Sequence, residues 1–303
     1  GSHSAAMGNN TTASGSHSTA MGFYTDASGV NSTAMGNRTT ASGDKSTAMG
    51  YKTIASGDGA FAMGEGTEAK GNYSVAMGTS TDASGNCSVA MGSGTIASGT
   101  NSMAMGDFTK AKGNYSFAMG SDCSAIGHWS VTMGQNCSAI GDWSVAMGHT
   151  CVAYKKYSFA MGQDCSAIGT NSTAMGLNTT ASGDKSTAMG FNTTASGDGS
   201  IAIGQMSDSS GTLSIAIGNG VIANDQYKIA LGWGNDNASS KNNNSLWCDT
   251  NNKWHANGGI NTTSDDRIKH NEKEINGIEV IKQLKPLTYF KSRQMYDENH
   301  NYE

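Results

Sequence analysis

Along this chain the apolar and small side chains fall into columns that repeat every 14 residues. Met followed by Gly stands at 7, 21, 35, 49, 63, 77, 91, 105, 119, 133, 147, 161, 175 and 189, and Ile203, Ile217 and Leu231 continue the column through seventeen units without an insertion. A second glycine column runs from Gly1, Gly15 and Gly29 to Gly211 and is interrupted at Lys155. Each unit therefore has two glycine-marked corners and two five-residue segments between them, such as Ser18–Gly22 and Thr25–Gly29. Segments this short between turn residues predict strands, and an unbroken short period predicts a solenoid with one coil per unit.

Side chains alternate across a strand, so Ser18 and Ala20 share one face while Thr19 and Met21 share the other. The Ser18 column departs from Ser only at Ala60 and Lys228, and the Ala20 column departs from Ala only at Thr132. In the second strand the Ala13 column departs from Ala only at Ser209. Only such small groups fit between two strands of one 14-residue coil, which puts the Ser, Ala and Thr columns inside a thin roll. The Met column then lies outside, beside Thr47, Val75, Phe117, Val145, Phe159 and Ile201. A continuous apolar stripe of this kind predicts association along the roll, with cyclic symmetry letting the same face meet itself about an axis. At about 4.8 Å per strand, seventeen coils span roughly 80 Å.

The segments Asn31-Ser32-Thr33-Ala34-Met35-Gly36 and Gly199-Ser200-Ile201-Ala202-Ile203-Gly204 resemble the head repeat of YadA-type trimeric adhesins, with Met replacing most of the Ile. The resemblance covers residues 1–233. It implies an all-β fold, a left-handed parallel β-roll of 14-residue coils, assembled as a homotrimer whose apolar columns pack around a common axis. Its implied role is a surface fibre for host attachment, with a host-cell glycan or protein receptor as partner.

After Gly234 the period stops, and residues 234–263 read as a linker and a short β neck carrying Trp247 and Trp254. Residues 272–285, ahead of Pro286, read as a short helix. Ser264-Asp265-Asp266-Arg267-Ile268-Lys269, followed by Leu284-Lys285-Pro286-Leu287-Thr288-Tyr289, resembles the opening of the endosialidase-type intramolecular chaperone domain of phage tail spikes and fibres. That resemblance makes 264–303 a truncated start of a trimerising, self-releasing domain. Ser264 Oγ would attack the Thr263 carbonyl while a neutral Lys269 takes the proton, cutting between Thr263 and Ser264. Glu272 stands where that family usually has Ile. No heptad stalk or barrel anchor follows the repeats, so this reading favours a virion fibre over a bacterial adhesin head; a purely structural spacer is the further alternative.

Composition narrows the function classes. The single Pro excludes a collagen-like fibre. A net charge of −5 without a basic cluster in the repeats leaves no nucleic-acid footprint, and no apolar run is long enough to insert into a membrane. No spacing suggests a metal or cofactor site, and no recurring acid pair in a cleft suggests a glycosidase. Four cysteines, Cys123, Cys137, Cys151 and Cys165, take the place of the inward Thr in successive coils. Stacked neighbours lie within disulfide reach, and simple exchange of one small residue for another is the other reading. The regular Thr column (Thr11, Thr25, Thr39) has inward parity, against an ice-binding face. Finally, Tyr115, Trp129, Trp143 and Tyr157 place one aromatic at the same corner of four successive coils, next to His128 and Asp142. Such a strip suits either glycan binding or the covering of a seam between protomers.

Overall fold

In a computed structural model the described residues are 1–233, 246–248 and 253–256. They form an all-β parallel solenoid. Seventeen five-residue strands, from Ala5–Asn9 and Thr19–Phe23 to Ile229–Trp233, stack in one sheet, and sixteen two-residue strands, from Thr12–Ala13 to Ile222–Ala223, stack in a second. The result is sixteen complete coils and a final long strand. Every coil-to-coil pairing is parallel and offset by one period, as in Ala5↔Thr19 and Met7↔Met21.

The expected inside and outside are the observed ones. Ser18, Ala20, Thr25 and Ala27 and their columns are buried between the two terminal coils, while the Met column is half-buried to exposed. The core is thus two touching layers of methyl and hydroxyl groups, and coil stability rests on the backbone ladder and on nearest-neighbour stacking. At the end of the roll Lys228 replaces the inward Ser and turns its ammonium to Asp225 Oδ2 at 3.4 Å and Asn224 Oδ1 at 3.3 Å.

The strands differ from the sequence reading in length. The first segment of each coil shifts by one residue, to Thr19–Phe23, and the second shrinks to Asp26–Ala27. After Ala27 the amides of Ser28 and Gly29 both donate to Ala41 O, at 3.1 and 3.2 Å, which bends the chain out of the ladder. Asn31 follows with φ of 57°, and its amide donates to Ser16 O one coil back at 2.8 Å. The other corner uses Gly22 at φ +129, where a Cβ would stand 2.0 Å from Gly36 O. Only glycine fits that stack.

The parallel order ends at Ile229–Trp233. Leu246–Cys248 pairs with it antiparallel, and Trp254–Ala256 pairs antiparallel with Leu246–Cys248. This hairpin is what the expected neck contributes among the described residues: it covers the edge that the last long strand would otherwise leave open. The expected helix at 272–285 and the self-cleavage pair Ser264 and Lys269 lie outside the described residues.

Candidate functional site

Four successive corners depart together from the pattern of the other coils. Tyr115, Trp129, Trp143 and Tyr157 all adopt left-handed backbone, with φ of 58°, 53°, 53° and 59°, a conformation that costs a bulky residue about 1–2 kcal/mol. Asn31, Asn101 and Asn171, better suited to that conformation, hold the column in three other coils, and Tyr73 and Tyr227 stand in it singly at φ 57° and 60°. The aromatics recover part of this cost by stacking. Tyr115 and Trp129 lie 4.9 Å apart at 7°, Trp129 and Trp143 5.0 Å at 2°, and Trp143 and Tyr157 5.4 Å at 26°, distances of the offset-stacked regime. Their exposures are 51%, 47%, 42% and 48%. The rings therefore spend much of their faces on one another and turn their edges outward, where the sequence suggested an open flat strip.

His128 and Asp142 are built into the same corners. The amide of Asn114 donates to His128 Nδ1 at 3.1 Å, so the neutral imidazole carries its proton on Nε2. The amide of His128 donates in turn to Asp142 Oδ1 at 2.9 Å. These bonds belong to a longer ladder that the sequence did not reveal: Asp44, Asp58, Asn72, Asn86, Asp184 and Asp198 each accept from the corner amide one coil back. The residues differ too much in type to stand out as a column, and their shared feature is a side-chain acceptor one bond from the turn. The Thr170 amide, and after it Lys155, holds the Asp184 carboxyl below its ordinary range. Lys156 places its ammonium 4.8 Å from the Trp143 ring centroid and 5.0 Å from that of Tyr157, a cation–π arrangement.

A second column escaped the sequence reading. Ser14, Ser28, Ser42 and Ser56 give way at 126, 140, 154 and 168 to Ile, Ile, Tyr and Ile, all exposed. The signal was available as a change to large apolar residues over four coils, at three of the four corners that carry the aromatics. Ile126 and Trp129 open and close one turn, so apolar surface passes around the corner from the long-strand sheet toward the short-strand sheet.

Inside these coils sit Cys123, Cys137, Cys151 and Cys165, all buried and all free thiols. Each donates to a glycine carbonyl eleven residues on, Gly134, Gly148, Gly162 and Gly176, at 3.2–3.3 Å. Ser207 makes the same bond to Gly218 O at 2.8 Å, so the thiols act as small inward donors, and no disulfide links them. Hydrogen bonding with the sulfur of Cys137, joined at Cys151 by that of Cys165, and then burial, pushes the thiols of Cys123 and Cys151 up. Among the described residues no group of three or more His, Cys, Asp or Glu side chains is placed to hold a metal ion.

A one-coil period, in-register parallel stacking and two glycine corners define the class as a short-repeat β-solenoid with an apolar outer face. The YadA head domain repeat matches residues 1–25, 27–53, 55–81, 69–95, 97–122, 167–193 and 195–220, and the chain belongs to that family. Between the fifth and sixth stretches lie residues 123–166, which contain the four cysteines and most of the altered corner. No curated protein matches the chain.

Proposed function

We propose that this chain is the head of a homotrimeric adhesin-type fibre, displayed on an extracellular surface, that attaches to a host. The observation that carries this reading is the unbroken outward Met, Ile and Leu column, half-buried to exposed in a single chain along the whole roll. Three copies that turn this face to a common axis bury it and leave the corners in water. The corners then hold the residues free to touch a partner, and the strip Tyr115, Trp129, Trp143 and Tyr157, with His128 and Asp142, is the candidate contact surface, whose stacked rings offer edges that suit a protein partner better than a glycan.

Residues 264–303 extend the proposal. The Ser264 and Lys269 pair, read through its resemblance to the chaperone domain of viral fibres, makes the fibre a self-trimmed virion component. Light scattering of the native protein beside mass spectrometry of the denatured chain tests both parts. Three times the mass of an intact 31.2 kDa chain supports the trimer without cleavage, and a trimer of chains ending at Thr263 supports the Ser264 chemistry. A stable monomer overturns the trimeric reading.

A further inference from the structure

The four altered corners repeat their ring types, and the inner two their isoleucines, when read in either direction along the fibre. In order they carry Lys112, Asn114 and Tyr115; Ile126, His128 and Trp129; Ile140, Asp142 and Trp143; and Tyr154, Lys156 and Tyr157. Reversing the order sets Tyr against Tyr, Trp against Trp and Ile126 against Ile140. It also sets His128 against Asp142, Lys112 against Tyr154 and Asn114 against Lys156: an acid with its donor, a cation with a ring and an amide oxygen with an ammonium. We infer that this ridge docks a second copy of the fibre in antiparallel orientation, about a two-fold axis that crosses the ridge between Trp129 and Trp143.

A two-fold axis lying in the contact plane and perpendicular to the fibre brings each column onto itself with its order reversed. That is the self-complementarity an isologous contact demands. The Met column runs from Met7 to the Leu231 coil, whereas the ridge is confined to four coils, so it does not belong to the periodic seam. It also turns the corner through the exposed Ile126, Ile140 and Tyr154, away from the Met face. Outward ring edges on a convex corner offer a poor platform for a sugar ring, which packs on ring faces. They suit interdigitation with an identical row. Rings of about 150–250 Å² each, half exposed, supply on the order of 400 Å² per ridge before the isoleucines are added. That area falls below the roughly 800 Å² per partner of a standard stable complex, so the contact is weak singly and concentration-dependent.

The inference rests on the trimer reading, because it needs the Met face buried and the ridge outside. Sedimentation of the full chain over a range of concentrations separates the two. Each trimer presents three such ridges, so the expected result is a trimer in equilibrium with species of six chains and of higher multiples of three. Trp129→Asn with Trp143→Asn, which installs the residue native to that column in other coils, is expected to weaken pairing at least about tenfold while the trimer persists. His128→Asp and Asp142→Lys are each expected to weaken self-pairing, and a mixture of the two proteins to restore it. In the mixed pair the carboxylate introduced in one protein meets the ammonium introduced in the other, and the unchanged Asp142 of the first meets the unchanged His128 of the second. A trimer that never pairs, or pairing indifferent to all these changes, overturns the inference and leaves the trimer standing; pairing lost in the single variants but not restored in the mixture overturns the antiparallel register. A monomer at every concentration overturns the trimer reading and this inference with it.

Discussion

Trp129 and Trp143 lie one coil apart with their indoles parallel to 2° and their centroids 5.0 Å apart, each on a backbone at φ 53°. The two facts oppose each other energetically. Left-handed backbone costs a bulky residue about 1–2 kcal/mol, and each stacked neighbour returns about 0.5–1.5 kcal/mol. Trp129→Asn loses two stacking contacts and relieves one strained residue. The expected change in unfolding free energy lies between a gain of about 1 and a loss of about 2 kcal/mol, measured by chemical denaturation. A loss of several kcal/mol would mean that the ladder is a structural element of the roll and not a surface device.

The glycine corner carries the opposite expectation. Gly120 has φ +124, and a Cβ there would stand 1.9 Å from Gly134 O, a backbone atom. Neither the strained backbone nor the in-register neighbour has room to yield without breaking the ladder. Gly120→Ala is expected to cost at least about 3 kcal/mol, seen as a large fall in thermal midpoint. Ser121→Ala, one residue on at the surface, is expected to change it little.

The columns of the sequence translate so directly because each coil repeats the same environment. An inward Thr25 or Ala27 is inward in every unit, and one parity argument places all of them. Strand lengths resisted the same logic. Thr25–Gly29 looks like a five-residue strand by composition, but the paired donation of Ser28 and Gly29 to Ala41 O is a property of the turn and of the coil beyond it. The site was half visible for a similar reason. Tyr115 to Tyr157 stand out by residue type, while the ring orientation depends on a left-handed corner that no local pattern announces. The accompanying column from Ile126 to Ile168 appears only when each coil is compared with the Ser of its predecessors.

The thiol column yields a chemical test. Cys123, Cys137, Cys151 and Cys165 are buried and hydrogen-bonded to glycine carbonyls, while Cys87 is exposed. Of these five, a maleimide is expected to label Cys87 alone on the native protein and all five after denaturation, as read by mass spectrometry. Cys137→Thr, the residue of that column at Thr109 and Thr179, is expected to leave stability within about 1 kcal/mol. Rapid native labelling of the four would mean that the roll opens there.

Asp208 supplies a pH signature. Burial alone raises its carboxyl above the ordinary 3.8, and its Oδ1 is buried without a hydrogen-bond partner. A carboxyl whose folded value is raised holds its proton more tightly when folded, so its contribution to stability is complete below the unfolded value and is lost as pH rises through the folded one. Asp208→Asn is therefore expected to raise the thermal midpoint at pH 7 and to lose that advantage below about pH 3. An equal effect at both values would tie the change to packing and not to charge.

The Met face bears the heaviest part of the functional reading, and a charge placed on it discriminates most sharply. Met105 and Met119 lie mid-roll, one above the other in adjacent paired strands, both half-buried in the single chain. In a lone solenoid a carboxylate at either position reaches water, so Met105→Glu with Met119→Glu leaves the luminal columns and the ladder intact. Around a three-fold axis the same change brings six carboxylates into an apolar seam, where desolvation costs several kcal/mol per ion and no cation is near. The expected outcome is a far-UV spectrum that remains β in type together with loss of the trimer in sedimentation, partly reversed at low pH as the glutamates protonate. A variant that stays trimeric at pH 7 would place the seam elsewhere and leave the Met face without a role in assembly.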